Sequence, residues 1–208
     1  MKVLMINGSS RDGSNTGLAL EEIAKTLAEN GIDSEIVSID NSPIRDCTSC
    51  GACAKLDCRC VYGDDIVNEI IEKAKGSDGF IFGTPVYYAH PSGRILSLLD
   101  RVFYAGSRAF AFKPGAAVAC ARRAGTTASL DVINKYFTIA RMPVVSSTYW
   151  NVVHGRKVGE SPLDDEGMQT MRNLGKNMAW LLKCIELGKK NGITPEENER
   201  KAFTNFIR

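Results

Sequence analysis

The sequence predicts an α/β fold with a doubly wound parallel β-sheet in a single domain. Five short apolar segments alternate along the chain with five segments whose apolar residues recur at helical spacing. Strands that are separated by helices pair in parallel through right-handed crossovers, which place helices on both faces of the sheet. The chain has 208 residues, 44% of them hydrophobic, and is therefore long enough to bury the core of one such domain.

The first strand–helix–strand unit has the clearest signals. The segment KVLMING (2–8) is a compact apolar strand that ends in glycine. The helix predicted over 16–31 ends at Asn-Gly, a common C-terminal signal, and DSEIVSID (33–40) follows as the second strand.

The same alternation continues to the end of the domain. The later strands are predicted over 79–88, 115–123 and 142–151, and the later helices over 64–78, 92–104, 126–140 and about 164–190. We assign residues 1–190 to the domain and residues 191–208 to a C-terminal tail with a short helix.

Charge and hydropathy argue against several classes of protein. The net charge is +2, from 26 basic and 24 acidic residues that are interspersed, so no bulk charge favours nucleic acid or a membrane surface. The N-terminal segment lacks the apolar run of a signal peptide, and no segment approaches the ~20 apolar residues that cross a bilayer. We expect a cytoplasmic protein, in which thiols stay reduced.

Ligands of such folds bind beyond the carboxyl ends of the strands, which directs attention to the loop NGSSRDGSNTG after the first strand. A phosphate at this strand-to-helix turn would receive backbone N–H groups and the positive end of the helix dipole. Ser9, Ser14 and Thr16 add hydroxyl groups, Asn15 adds an amide, and Arg11 adds a guanidinium suited to phosphate oxygens. A well-capped helix start is the alternative interpretation, because these residue types are favoured there.

The pattern of this loop also narrows the ligand. It matches neither GxxxxGK[ST], the pattern of nucleoside triphosphate sites, nor GxGxxG, the pattern of dinucleotide sites. A hydroxyl-rich loop with a single arginine suits one terminal phosphate, as on FMN.

The chain resembles a known family over residues 1 to about 180. The segments MKVLMINGSSRDGSNT and DGFIFGTPVYYAHPSGRILSLLDR, with a cysteine-rich loop between them, resemble the NAD(P)H-dependent FMN reductases of the flavodoxin-like proteins. Within that family the chain most resembles the iron–sulfur flavoproteins. The resemblance implies a flavodoxin-like sheet with strand order 2-1-3-4-5, bound FMN, NAD(P)H as co-substrate, and a homodimer or homotetramer.

The resemblance also implies which residues contact the flavin ring. Thr84, Pro85, Val86 and Tyr87 line the ring, with Tyr88 as a neighbour. Backbone N–H groups at this position would stabilise negative charge on reduced flavin, and an aromatic side chain would stack on a ring face. The alternative is a strand end with core tyrosines.

The loop ARRAGTT is a weaker candidate. Arg122, Gly125 and Thr126 are placed near the polar edge of the flavin, although Gly-Thr-Thr is also an ordinary helix start. Arg122 and Arg123 are alternative contacts for the phosphate of a nicotinamide cofactor. We assign no catalytic acid, base or nucleophile, because hydride transfer to a flavin needs none from the protein.

Five of the seven cysteines lie between positions 47 and 60, in a loop that we assign to residues 45–63. An iron–sulfur cluster, a structural zinc ion, redox-active thiols and thiols without a role are the four possibilities. The resemblance places Cys47, Cys50 and Cys53 in the C-x2-C-x2-C run of the iron–sulfur flavoproteins. Either Cys58 or Cys60 would be the fourth ligand, and we favour Cys60 because CVYGDD resembles the segment before the second helix of that family.

Three functions follow as hypotheses. The first is an FMN-dependent oxidoreductase that is reduced by NAD(P)H and passes electrons to a quinone, a nitro or azo compound, a metal ion or a protein. The second is an iron–sulfur flavoprotein electron carrier with a [4Fe–4S] cluster beside FMN. The third is a flavin-binding regulatory protein whose cysteines hold zinc.

Overall fold

A parallel sheet forms the centre of the computed structural model, which describes residues 1–196 and, beyond them, residues 199, 202 and 204. Its strands are β1 (Lys2–Asn7), β2 (Asp33–Ser38), β3 (Gly79–Tyr87), β4 (His90–Pro91), β5 (Gly115–Ala121) and β6 (Val152–His154). The two-residue β4 pairs only with β3, antiparallel, and the parallel strands lie in the order β2-β1-β3-β5-β6. With β4 left aside, this is the predicted order 2-1-3-4-5, which confirms the flavodoxin-like fold.

Five helices cover the two faces of the sheet. They are α1 (Asn15–Glu29), α2 (Val67–Lys75), α3 (Gly93–Gly106), α4 (Thr126–Ile139) and α5 (Asp165–Lys190). Helices α1 and α5 pack on one face and α2, α3 and α4 on the other, so the described part of the chain is doubly wound as predicted.

The apolar strand sequences divide between two cores. In β1, Val3 and Met5 face the core under α1 and α5, whereas Leu4 and Ile6 face the core under α2, α3 and α4. Successive side chains of a strand point to opposite faces, and both faces are covered here, so the strand is apolar at every position. This burial fixes the sheet and therefore the positions of the loops at its carboxyl edge.

The last strand is the one element that the sequence prediction misplaced. Residues 142–151 were predicted as a strand, but Val144 makes only an isolated bridge to Gly115. The chain then leaves the sheet, exposes Tyr149 and Trp150, and returns as β6, which pairs with Ala119 to Ala121 of β5. The β-branched and aromatic residues of 142–151 suggested a strand, although the hydrogen-bonded strand begins one residue after that segment.

The remaining predictions concern the end of the chain and membranes. The predicted tail helix falls mainly on residues outside the described ranges. Among the helices of the described residues, none is both long and apolar enough to span a bilayer.

Candidate functional site

A cavity of about 180 Å³ lies at the carboxyl ends of β1, β3 and β5, and we call it the edge cavity. The loops that follow β1, β5 and β6 contribute to it, together with the end of β3. Its lining consists of Ser9, Arg11, Ser14, Asn15, Thr16, Pro85, Val86, Tyr87, Cys120, Ala121, Arg122, Gly155, Arg156 and Val158. Most of the predicted flavin and phosphate residues therefore lie around one space.

The loop after β1 supplies the hydroxyl groups of the edge cavity. Ser9, Ser14 and Thr16 are buried, and Ser14 caps α1 by accepting a 3.1 Å hydrogen bond from the N–H of Gly17. The first turn of a helix leaves further N–H groups without an intrahelical acceptor. Arg11 is exposed at the rim. These donors fit a terminal phosphate at the positive end of the helix dipole.

Asn15 lines the cavity but uses its amide for another contact. Its Nδ2 donates to the carbonyl oxygen of Lys157 at 2.9 Å, and its Oδ1 accepts from the N–H of Ser161 at 2.9 Å. Both bonds hold residues 155–160, which we call the strap, against the start of α1. Asn15, predicted as a phosphate donor, thus acts in this structure as the anchor of the strap.

The strap is further ordered by its own carboxylate. Oε2 of Glu160 accepts hydrogen bonds from the backbone N–H groups of Arg156 and Lys157, at 2.7 and 2.8 Å. These two bonds lower the pKa of Glu160 below its ordinary value. The strap brings Gly155, Arg156 and Val158 to the cavity.

The loop after β3 is a tight hairpin rather than an open strand end. Tyr88 and Ala89 have φ angles of 51° and 58°, which makes them the two left-handed residues of the turn that joins β3 to β4. Pro85, Val86 and Tyr87 line the edge cavity, whereas Tyr88 lies at the tip and is fully exposed. The hairpin therefore presents only its β3 side to the ligand space.

Thr84 lies beneath this hairpin and not in the cavity lining. It is completely buried, and its hydroxyl donates to the carbonyl oxygen of Pro85 at 2.8 Å while accepting from the N–H of Ser92 at 3.0 Å. Ser92 in turn caps α3 and donates to the carbonyl oxygen of Gly8. Thr84 organises the hairpin that carries the lining residues.

The loop after β5 contributes Arg122 to the cavity lining, and its Gly125 packs against the hairpin. Gly125 has a φ of 89°, and a Cβ atom there would lie 2.4 Å from the Cα atom of Ala89. Gly125 thus permits the close approach of the two loops and does not line the cavity itself. Arg123 is exposed outside the lining, and Thr126 is buried in the first turn of α4.

The electrostatics of the edge cavity favour an anion. Arg11, Arg122 and Arg156 line it, and none of its lining residues is acidic. Burial raises the pKa of Cys120 to about 12, so this thiol stays protonated and unreactive at neutral pH. The donor set fits the phosphate of FMN, and the hairpin offers an apolar and aromatic surface for its ring.

A second, smaller cavity, which we call the cysteine cavity, lies beside the C-terminal part of α3. Cys47, Cys50, Cys53 and Cys60 all line it, and neither histidine nor carboxylate residues do. Burial raises the pKa of Cys53, and the neighbouring Cys50, Cys60 and Cys47 raise it further. The four cysteines therefore surround one space.

Cys58 is directed elsewhere. It has a φ of 53°, is buried in the core under α2, α3 and α4, and does not line the cysteine cavity. Cys60 is held on the cavity side by Asn68 of α2, whose amide bonds the N–H of Cys60 at 2.9 Å and its carbonyl oxygen at 3.0 Å. The geometry agrees with the choice of Cys60 over Cys58 as the fourth cysteine of the set.

The arrangement also bears on what the cysteines could hold. A zinc ion with Zn–S distances of ~2.3 Å draws its sulfurs to within ~3.8 Å of one another. Within the described residues, no group of three or more potential ligands is arranged to hold a metal ion. Cys47, Cys50, Cys53 and Cys60 match a four-iron cluster in the number and type of ligands, because such a cluster takes four cysteine thiolates.

The edge cavity and the cysteine cavity are separate but linked by α3. They share no lining residue. Helix α3 begins after Ser92 beneath the hairpin and reaches the cysteine cavity at Arg101, nine residues on. At 1.5 Å per residue, Ser92 and Arg101 are about 14 Å apart along the helix axis.

Comparison with known proteins identifies the family to which the chain belongs. The family model described as NADPH-dependent FMN reductase matches residues 1–157. An iron–sulfur flavoprotein of Methanocaldococcus jannaschii is 35% identical over 199 residues, with 89% of this chain and 100% of that protein covered. An iron–sulfur flavoprotein of Methanosarcina thermophila is 30% identical and covers 89% of this chain and 97% of its own.

Solved structures support the fold independently. A flavone reductase superposes with a TM-score of 0.67 at 20% identity, covering 89% of this chain and 64% of that chain. An archaeal flavodoxin superposes with a TM-score of 0.60 at 15% identity, covering 88% of this chain and 99% of that chain. Together with the family match, these findings show that the chain is a flavodoxin-like, FMN-binding oxidoreductase and a member of the NADPH-dependent FMN reductase family.

Proposed function

We propose that this oxidoreductase is an iron–sulfur flavoprotein, which transfers electrons between FMN in the edge cavity and a [4Fe–4S] cluster in the cysteine cavity. The observation that carries the proposal is the convergence of Cys47, Cys50, Cys53 and Cys60 on one space from which Cys58 turns away. The names of the two relatives reported above support the same assignment.

The residues of the edge cavity would bind and orient the flavin. Ser9, Ser14 and Thr16, with Arg11 and Arg156, would hold the phosphate, because they combine hydroxyl donors with positive charge at the start of α1. Pro85 to Tyr87 would lie against the ring. When bound, FMN supplies hydride and single-electron chemistry, and a four-iron cluster supplies single-electron chemistry.

The acceptor and the donor belong to the proposal as well. A small molecule or a redox protein would take the electrons, and NAD(P)H or a reduced carrier protein would provide them. Tyr87 is 48% exposed at the mouth of the edge cavity, so one side of the ring site is open to a second molecule. A homodimer or homotetramer remains a prediction from the family resemblance.

The experiment is an anaerobic purification with FMN, iron, inorganic sulfide and zinc quantified per chain. We expect about one FMN, about four iron atoms and about four sulfides. A protein with flavin but without iron would instead support an FMN reductase that has no cluster. Zinc in place of iron would support the flavin-binding regulatory protein.

The reductant is tested on the same preparation. Addition of NADPH or NADH, and separately of a reduced ferredoxin, is followed by bleaching of the flavin absorbance. Rapid bleaching by a nicotinamide supports the reductase activity of the family, whereas bleaching only by ferredoxin supports a carrier that exchanges electrons with proteins.

A further inference from the structure

Helix α3 carries an arginine that is more deeply buried than its charge would ordinarily allow. Arg101 is 1% exposed, lies in the C-terminal half of α3 and lines the cysteine cavity. Removing a guanidinium from water is expensive unless it is paired and hydrogen-bonded. Asp65, whose side chain is also buried, forms an ion pair with Arg101 and satisfies the charge.

The remaining bonds of Arg101 all go to the cysteine-rich loop. Nη1 donates to the carbonyl oxygen of Arg45 at 3.1 Å, and Nη2 donates to the carbonyl oxygen of Tyr62 at 3.1 Å. Nε donates to Sγ of Cys60 at 3.4 Å. One side chain thus joins the beginning of the loop, the end of the loop and the sulfur of the fourth cysteine.

These contacts distinguish Arg101 from an ordinary structural arginine. Neutralising the charge requires only Asp65, and tying the loop requires only the two carbonyl contacts. The bond from Nε adds a charged donor to a sulfur, and only a planar guanidinium can make all of these contacts from one position. Hydrogen bonds and charges next to ligating sulfurs set the reduction potential of iron–sulfur clusters.

We propose that Arg101 is a positioning residue for the cysteine centre: it fixes Sγ of Cys60 at the cavity and makes a cluster bound there easier to reduce. The first part concerns the protein without a cluster, and the second part rests on the proposed function. Reduction adds negative charge to a cluster and its ligating sulfurs, and the N–H donor of Arg101 at Sγ of Cys60 would stabilise that charge.

The first arm of the test is hydrogen–deuterium exchange on the cluster-free protein. Arg101→Lys keeps the charge but loses the guanidinium fork, so we expect backbone exchange over residues 45–62 to rise at least about tenfold. Arg108→Gln is the matched control, because Arg108 bonds Asp57 of the same loop but is exposed. We expect it to leave exchange over 45–62 unchanged.

The second arm is the midpoint potential of the anaerobically reconstituted protein. Arg101→Met should make the midpoint potential more negative by about 59 mV. For a one-electron couple this corresponds to a tenfold higher ratio of oxidised to reduced cluster at a fixed potential. Arg101→Lys should give a smaller shift, and Arg108→Gln none. A merely structural arginine would not move the potential of a cluster that still assembles.

Three results would overturn the proposal. The first is backbone exchange over 45–62 in Arg101→Lys that equals that of the wild-type protein. The second is an unchanged midpoint potential in Arg101→Met. The third is a loss of FMN affinity or of helical circular dichroism in both variants, which would make Arg101 a general support of the core. A wild-type protein that takes up no cluster would instead contradict the proposed function, while the exchange arm would still decide whether Arg101 orders the cysteine-rich loop.

Discussion

The edge cavity and the cysteine cavity differ in how the chain builds them. The edge cavity is formed where regular elements end, so its shape follows from strand order, helix caps and close backbone contacts such as that of Gly125 with Ala89. The cysteine cavity is formed by an irregular loop that contains one short 3₁₀ turn, Ala52–Lys55. Side chains from neighbouring helices, Asn68 and Arg101, hold that loop in place.

Because the two cavities are built differently, substitutions should affect ligand binding differently at each. A site made by element ends loses affinity in steps, because many backbone groups and hydroxyls share the contact. A site made by one loop depends on a few side chains, and loss of one ligand or one anchor removes it. We therefore expect single substitutions to lower FMN affinity by degrees at the edge cavity. At the cysteine cavity we expect them either to leave cluster assembly intact or to abolish it.

The largest expected effect is on the cysteine cavity. Cys60→Ala should abolish cluster assembly, so that anaerobic reconstitution falls from about four iron atoms per chain to nearly none. Cys58→Ala is the matched variant, because Cys58 is equally buried but lies outside the cavity lining. It should retain full iron content. The opposite pattern would exchange the roles of the two cysteines.

The next largest effect is on the hairpin of the edge cavity. Gly125→Ala places a Cβ atom against Ala89 at a φ of 89°, so we expect a loss of about 1–3 kcal/mol in the free energy of unfolding. FMN affinity should fall as well, because the hairpin carries Pro85 to Tyr87. Denaturant unfolding and flavin titration measure both.

Gly93→Ala provides the comparison for that variant. Gly93 begins α3, has no positive φ, and a Cβ atom there would meet nothing within 4 Å. Its substitution should leave both stability and FMN affinity within about 0.5 kcal/mol of the original. Equal effects at the two glycines would contradict the close contact between the hairpin and the loop after β5.

A smaller, graded effect is expected from the strap. Arg156→Gln should weaken FMN binding by about tenfold, because a charged hydrogen bond contributes about 1.5–3 kcal/mol and other donors remain. Lys157→Gln tests the same strap without changing the cavity lining, since Lys157 does not line the cavity and its bond to Asn15 uses its backbone carbonyl. If both substitutions weakened binding equally, general charge and not a contact of Arg156 would be responsible.

The smallest effect concerns pH. Backbone N–H groups of Lys157 and Arg156 lower the pKa of Glu160, so its contribution to stability is present at neutral pH. It is lost as the pH falls below the ordinary value of 4.5 and through the lowered pKa. Glu160→Gln should therefore flatten the acid limb of a plot of unfolding free energy against pH. An unchanged acid limb would show that the strap does not depend on this carboxylate.

Sequence reasoning recovered the features that follow from periodicity and local signals. The strand order was implied by the family resemblance, whereas the alternation of strands and helices and the serine-rich loop at the start of α1 depend on patterns that act over a few residues. The spacing of Cys47, Cys50 and Cys53 is of the same kind. The structure brings these three cysteines together with Cys60 around one cavity.

What the sequence missed depends on contacts between distant segments. Arg156 was not found because only the distant contacts of Asn15 with residues 157 and 161 hold the strap against the start of α1. The two bonds of Asn15 to residues 157 and 161 were also missed, because nothing local in the sequence indicates them. Arg101 sits within an apolar helical pattern, where an arginine is ordinarily assigned to solvent.

Cys47, Cys50, Cys53 and Cys60 are proposed to hold a four-iron cluster in a protein that also binds FMN. Electron paramagnetic resonance of the anaerobically reconstituted and dithionite-reduced protein tests it most directly. We predict the low-temperature signal of a reduced [4Fe–4S] cluster in the wild-type protein and in Cys58→Ala, and its absence in Cys60→Ala. A wild-type protein that contains FMN but gives no iron–sulfur signal would contradict the account.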